Sequence, residues 1–99
     1  MSKKVTMTAK DLTLNIAVNL GRISRWAQAG KENGVRQFLN ETEQYLNDLE
    51  NEPKSDKFNS TYQVFKQKFD QMKSSKVDLS FAEDALTWAN ILTHRAKLA

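Results

Sequence analysis

Ninety-nine residues, 39% hydrophobic and 27% charged, suit a single folded domain with one core and leave no room for a second. The absence of cysteine excludes disulfides and thiolate metal sites, and three Gly with one Pro are too few for a strand-and-turn architecture. A net charge of +3 is weak for a nucleic-acid binder. Its spread is uneven: residues 1–40 carry seven Lys/Arg against two Asp/Glu, residues 41–56 one against six, and residues 57–76 five against one. Such alternation makes either a dipolar surface for an acidic partner or helix faces that attract one another inside the fold.

The opening Met1-Ser2-Lys3-Lys4 is basic, but no long apolar run follows it, so neither a signal peptide nor a membrane span is expected. Residues 1–7 read as a flexible N-terminal segment and residues 8–99 as one domain. The default expectation is a cytoplasmic, bacterial protein. A first helix is predicted over 8–29. Thr8, with Asp11 three residues on, is a plausible cap. Leu12, Ile16, Leu20, Ile23 and Ala27 then recur on one face, with Trp26 beside them. Gly30 suits the position just past the helix end, and the mid-helix Gly21 suggests close packing.

Asn33-Gly34 reads as a turn or as the start of a second helix, predicted over 34–51. Its stripe is Val35, Phe38, Leu39, Thr42, Tyr45, Leu46 and Leu49, with Glu41, Glu43, Asp48 and Glu50 off it. Pro53 ends it. A third helix over 56–74 is capped by Ser55, with Ser60 the later alternative, and carries Phe58, Tyr62, Phe65, Phe69 and Met72 on one face. A fourth over 79–97 follows the Ser80–Glu83 capping-box pattern, with Asp78 as a competing cap; its stripe is Phe81, Ala85, Trp88, Ala89, Leu92 and Ala96. Short connections make neighbours antiparallel. The expected fold is therefore all-α, an up-down-up-down four-helix bundle.

The catalytic inventory is thin. One histidine and no cysteine cannot assemble a multi-His or multi-Cys metal site from one chain. Ile91 stands where a di-iron bundle would have Glu, three before His94. The Arg placed four to six residues before a His in one class of helical ribonucleases is also missing, since Asn90, Ala89 and Trp88 stand there. Gly30-Lys31-Glu32-Asn33-Gly34 lacks the spacing of a phosphate loop. By helical geometry His94 falls at the solvent-facing rim. No catalytic, metal-ligating or cofactor-binding residue is assigned, and the chain reads as a non-enzyme.

Two groups of residues point to partner binding. Leu14 and Val18 lie opposite the core stripe of the first helix, and Arg22 and Arg25 continue that side. An apolar pair bordered by guanidinium groups is the composition of a binding hot spot, for another protein or for a second copy. On the fourth helix, Asp84, Trp88, Ile91 and Arg95 follow at helical spacing. They form either a Trp-centred docking site or the edge of a wide core stripe with snorkelling charges. Asn19, on the core face, suggests a register or oligomer-fixing device, an interhelical hydrogen bond or an edge position. The expected function is a small protein-interaction, adaptor or regulatory module. The alternative is an accessory RNA- or DNA-binding subunit that contacts phosphates through basic helix faces, chiefly Lys31, Arg36, Lys66, Lys68 and Lys73.

Overall fold

A computed structural model describes residues 7–99; Lys3, Lys4 and most of the expected flexible segment lie outside the described residues. The chain forms α1 (Ala9–Gln28), α2 (Glu32–Glu50), α3 (Asp56–Lys73) and α4 (Leu79–Arg95), followed by one 3-10 turn (Ala96–Leu98). Among the described residues there is no strand.

Local chemistry sets each helix end. Thr8 and Asp11 form a reciprocal capping box, each side chain accepting from the other residue's backbone N–H. At the far end of α1, Gly30 has φ +72, Lys31 N–H donates to Trp26 O at 2.9 Å and Gly30 N–H to Ala27 O at 3.1 Å. That pair of bonds is a Schellman closure, and the left-handed backbone it needs favours glycine. The tight reversal lets α2 begin at Glu32, two residues before the predicted start. Asn33 and Gly34 thus belong to its first turn. Ser55 caps α3, accepting from Phe58 N–H at 3.1 Å, and Ser60 lies inside the helix. For α4 the cap is Asp78, not Ser80: its carboxylate accepts from Phe81 N–H at 2.9 Å. A charged acceptor suits the positive end of the helix dipole better than a hydroxyl.

Side-chain links show the antiparallel order around the bundle. Asn19 of α1 donates to Glu41 of α2, and Ser24 of α1 donates to the Ala82 carbonyl at the start of α4. Glu50 of α2 pairs with Lys66 of α3, and Lys68 of α3 pairs with Asp84 of α4. Taken with Trp26–Phe38, Glu43–Lys73 and Phe65–Trp88, which lie at the other end of each pair, these links show that consecutive helices run antiparallel.

The predicted stripes meet in the centre. Leu12, Ile16, Leu20 and Ile23 face Val35, Leu39, Leu46, Leu49, the α3 aromatics and Phe81, Ala85 and Leu92. Helix α1 is the most enclosed. Besides its apolar stripe it buries Thr13, Asn19 and Ser24, and all three are hydrogen-bonded. Asn19 is thus an interhelical link rather than an edge residue. Met7 does not behave as a free end: it packs on the core, and its sulfur lies 3.1 Å from Asn15 Nδ2.

Candidate functional site

The wide buried arc of α1 leaves a narrow outward strip. Ser24 marks the side facing α4 and Asn19 the side facing α2. Leu14, Val18 and Arg25 lie on the strip between them; Leu14 is half-buried, and Val18 is 52% exposed. Arg22 borders the strip toward α2. It donates to Asn19 Oδ1 at 3.4 Å, and its guanidinium carbon lies 5.7 Å from the Phe38 ring centroid. The four residues expected on this side do share one face.

Electrostatics separate this face from the rest of the molecule. Among the described residues, every ion pair lies on α2, α3 and α4. Between α2 and α3, Lys66 pairs with Glu50 at 2.5 Å and Lys73 pairs with Glu43. Tyr62, buried, donates its hydroxyl to the same Glu50 carboxylate at 2.7 Å. The hydrogen bonds from Lys66 and Tyr62 hold the Glu50 pKa below its usual value. Burial, and then the bond to Glu50, push the Tyr62 hydroxyl well above its own. The bond to Glu43 raises the Lys73 pKa. A shallow pocket between these ion pairs is floored by Leu46, Tyr62 and Phe69 and rimmed by Asn47 and Asp70. Among the described residues, no group of His, Asp and Glu is placed to hold a metal ion, and no buried polar side-chain atom lacks a hydrogen-bond partner.

The basic residues considered for phosphate contact are largely engaged within the chain. Lys66, Lys68 and Lys73 each hold a carboxylate. Arg36 donates to the carbonyls of Lys73 and Ser75 and pairs with Glu32. Lys31 lies 5.4 Å from the Trp26 ring centroid. Lys66, Lys73 and Arg36 lie along the α2–α3 side, Lys68 reaches α4 and Lys31 stands at the α1–α2 corner.

On α4, Trp88 is half-buried with its ring 5.3 Å from that of Phe65, so it packs toward α3 and the core. Asp84 reaches across to Lys68 at 2.8 Å. Arg95 and His94 are exposed. The Trp88 side of α4 and the Leu14–Val18 side of α1 are separate surfaces.

Two features were not anticipated. Leu86, outside the α4 stripe, is 47% exposed. Its position one turn beyond Ala82 could have marked it, but an isolated surface Leu is ordinary. Trp26 is partly exposed at the α1–α2 corner, with Phe38 tilted against it at 6.3 Å. No family model, curated protein or solved structure matches the chain. No described helix is long and apolar enough to cross a membrane.

Proposed function

We propose that this protein is a non-enzymatic interaction module that binds another protein through the outward face of α1. The observation that carries this reading is the coincidence of exposed Val18 and half-buried Leu14 with Arg22 and Arg25, on the one helix that takes part in no ion pair of the described residues. Apolar area beside unpaired guanidinium groups supplies both contact surface and charge-assisted hydrogen bonding to a partner. A nucleic-acid role has less to rest on, because Lys66, Lys68 and Lys73 each already hold a carboxylate.

The test is to change Leu14 and Val18 together to Ser. Helicity should stay as in the parent chain, while a partner purified with the native protein should no longer be retained. Unchanged retention and an unchanged sedimentation profile would sink the proposal.

A further inference from the structure

Asn33-Gly34 lies in the first turn of α2, and the fold leaves that turn without a cap. Lys31 occupies the cap position and has no side-chain oxygen to accept a backbone N–H. The first helical bond of α2 runs from Val35 N–H to Lys31 O at 3.2 Å, the long end of the normal range. The Gly34 N–H, one residue earlier, is an orphan donor of the helix start and has no acceptor among the described residues.

The residue before that free amide gives it a chemical consequence. Asn33 is exposed. An asparagine carries a carbonyl carbon, Cγ, within reach of the backbone nitrogen of the next residue. Attack by that nitrogen is hindered when its N–H is held in a helix bond, and when the next residue carries a Cβ. Gly34 presents neither obstacle. The chain has eight asparagines, and Asn33 alone is followed by glycine. Asn15, Asn19, Asn40, Asn47, Asn59 and Asn90 precede residues in the bonded body of a helix. Asn51 precedes Glu52, whose N–H donates to Leu49 O at 3.1 Å.

Access and local order favour the same position. A hollow of about 490 Å³, lined by Trp26, Gly30, Lys31, Glu32, Asn33 and Gly34, opens this turn to solvent. An uncapped first turn is also the part of a helix that frays most readily, and fraying frees Asn33 to leave the helical ψ, as the attack requires. The positive end of the helix dipole favours the anionic nitrogen that performs it.

We propose that Asn33 is a site of spontaneous deamidation in the folded protein. Hydroxide takes the proton of the Gly34 N–H, and the nitrogen forms a bond to Asn33 Cγ. The Cγ–Nδ2 bond breaks, Nδ2 takes a proton from water and leaves as ammonia, and a succinimide ring is closed. Water then opens the ring. Addition at Cγ gives aspartate with the original main chain. Addition at the Asn33 backbone carbonyl gives isoaspartate, with the main chain passing through Cβ. In sum, one amide and one water become one carboxyl group and one ammonia, with nothing oxidised or reduced. The two products act differently on the α1–α2 corner. Aspartate adds a second acid beside Glu32 to the first turn of α2 and strengthens its start. Isoaspartate lengthens the main chain just before Gly34 and shifts it against the Trp26 ring that it touches.

The experiment is incubation of the full chain in native buffers of rising pH, followed by peptide mapping with mass spectrometry. The peptide containing Asn33 should gain the mass of an amide-to-acid exchange and split into aspartate and isoaspartate forms. It should do so ahead of every other asparagine peptide, at a rate that rises with hydroxide. Asn33→Gln, whose longer side chain closes a ring far less readily, should lose the conversion with the fold intact. Lys31→Ser supplies a cap oxygen for the Gly34 N–H and should slow the conversion about fivefold while raising the thermal midpoint. Conversion only after denaturation, or conversion of Asn51 or Asn59 as fast as that of Asn33, would overturn the proposal. So would an unchanged rate in a Lys31→Ser chain whose thermal midpoint has risen.

Discussion

The α2–α3 seam and the outward face of α1 contain the same ingredients, apolar side chains bordered by cations, and use them in opposite ways. On the seam, Lys66 and Lys73 reach carboxylates of α2, and Lys54 lies 4.8 Å from the Tyr62 ring centroid while donating to the carbonyls of Leu49 and Glu50 in α2 and of Glu52 just past it. The charges there find partners inside the chain and close the gap above the aromatic core. On α1, among the described residues, Arg22 meets an amide oxygen and an aromatic ring and Arg25 takes part in no ion pair. A charge run in a sequence is thus uninformative until its partners are known. Of the five lysines at 57–76, Lys66 and Lys73 meet Glu50 and Glu43 of the acidic segment and Lys68 meets Asp84 of α4, while no cation of α1 takes part in an ion pair among the described residues.

The largest effect that separates the two regions is expected from truncating the core beneath the seam. Phe65 is buried against Phe69 and Trp88. Phe65→Ala should cost about 3–5 kcal/mol in denaturant unfolding. Val18→Ser on the outward face should change stability by no more than about 0.5 kcal/mol. A loss of more than about 1.5 kcal/mol from Val18→Ser would mean that the face belongs to the core, and the contrast would fail.

Next come the two glycines of opposite logic. Gly34→Ala forces the Trp26 ring to move and should destabilise the fold by about 1–3 kcal/mol, with a change in tryptophan fluorescence. Gly21→Ala meets open space and should stabilise it by about 1 kcal/mol. Matching signs for the two would break the contrast between the crowded and the open glycine.

A smaller effect comes from the titration of the seam. The folded state holds the Tyr62 proton above the ordinary value of 10.0, so the unfolded chain loses it first as pH rises. The stabilisation is complete below pH 10 and declines above it. The raised Lys73 pKa acts in the same direction. Thermal midpoints should therefore fall above pH 10, and Tyr62→Phe should flatten that fall while costing about 1 kcal/mol at neutral pH for the lost hydrogen bond. An equally steep alkaline decline in Tyr62→Phe would show that the Tyr62–Glu50 contact is not its source.

The smallest effect is the response to salt. The exposed Lys66–Glu50 and Lys73–Glu43 pairs should together lose no more than about 1 kcal/mol at high ionic strength. The same salt should weaken partner binding at Arg22 and Arg25 more visibly, because those charges take part in no ion pair among the described residues. Salt-independent partner binding would remove charge from the account of the α1 face.

Much of the architecture was legible along the chain, for a local reason. Helix periodicity, the Thr8 and Ser55 caps and the Gly30 stop depend on residues within one or two turns of each other, and each is found as read. The errors also have local causes that competed: Asp78 displaced Ser80 as the α4 cap, and the Schellman closure at Gly30 pulled the start of α2 to Glu32. What neighbouring residues cannot reveal is pairing between helices. The sequence alone determined that the chain carries four amphipathic stripes, with Leu14, Val18, Arg22 and Arg25 behind the first. Only the tertiary structure decided which cations meet carboxylates, which glycine lies under a tryptophan and which faces open space, and that Leu86 is exposed. Such contacts depend on the register between distant segments, and that register is set by packing of the whole core.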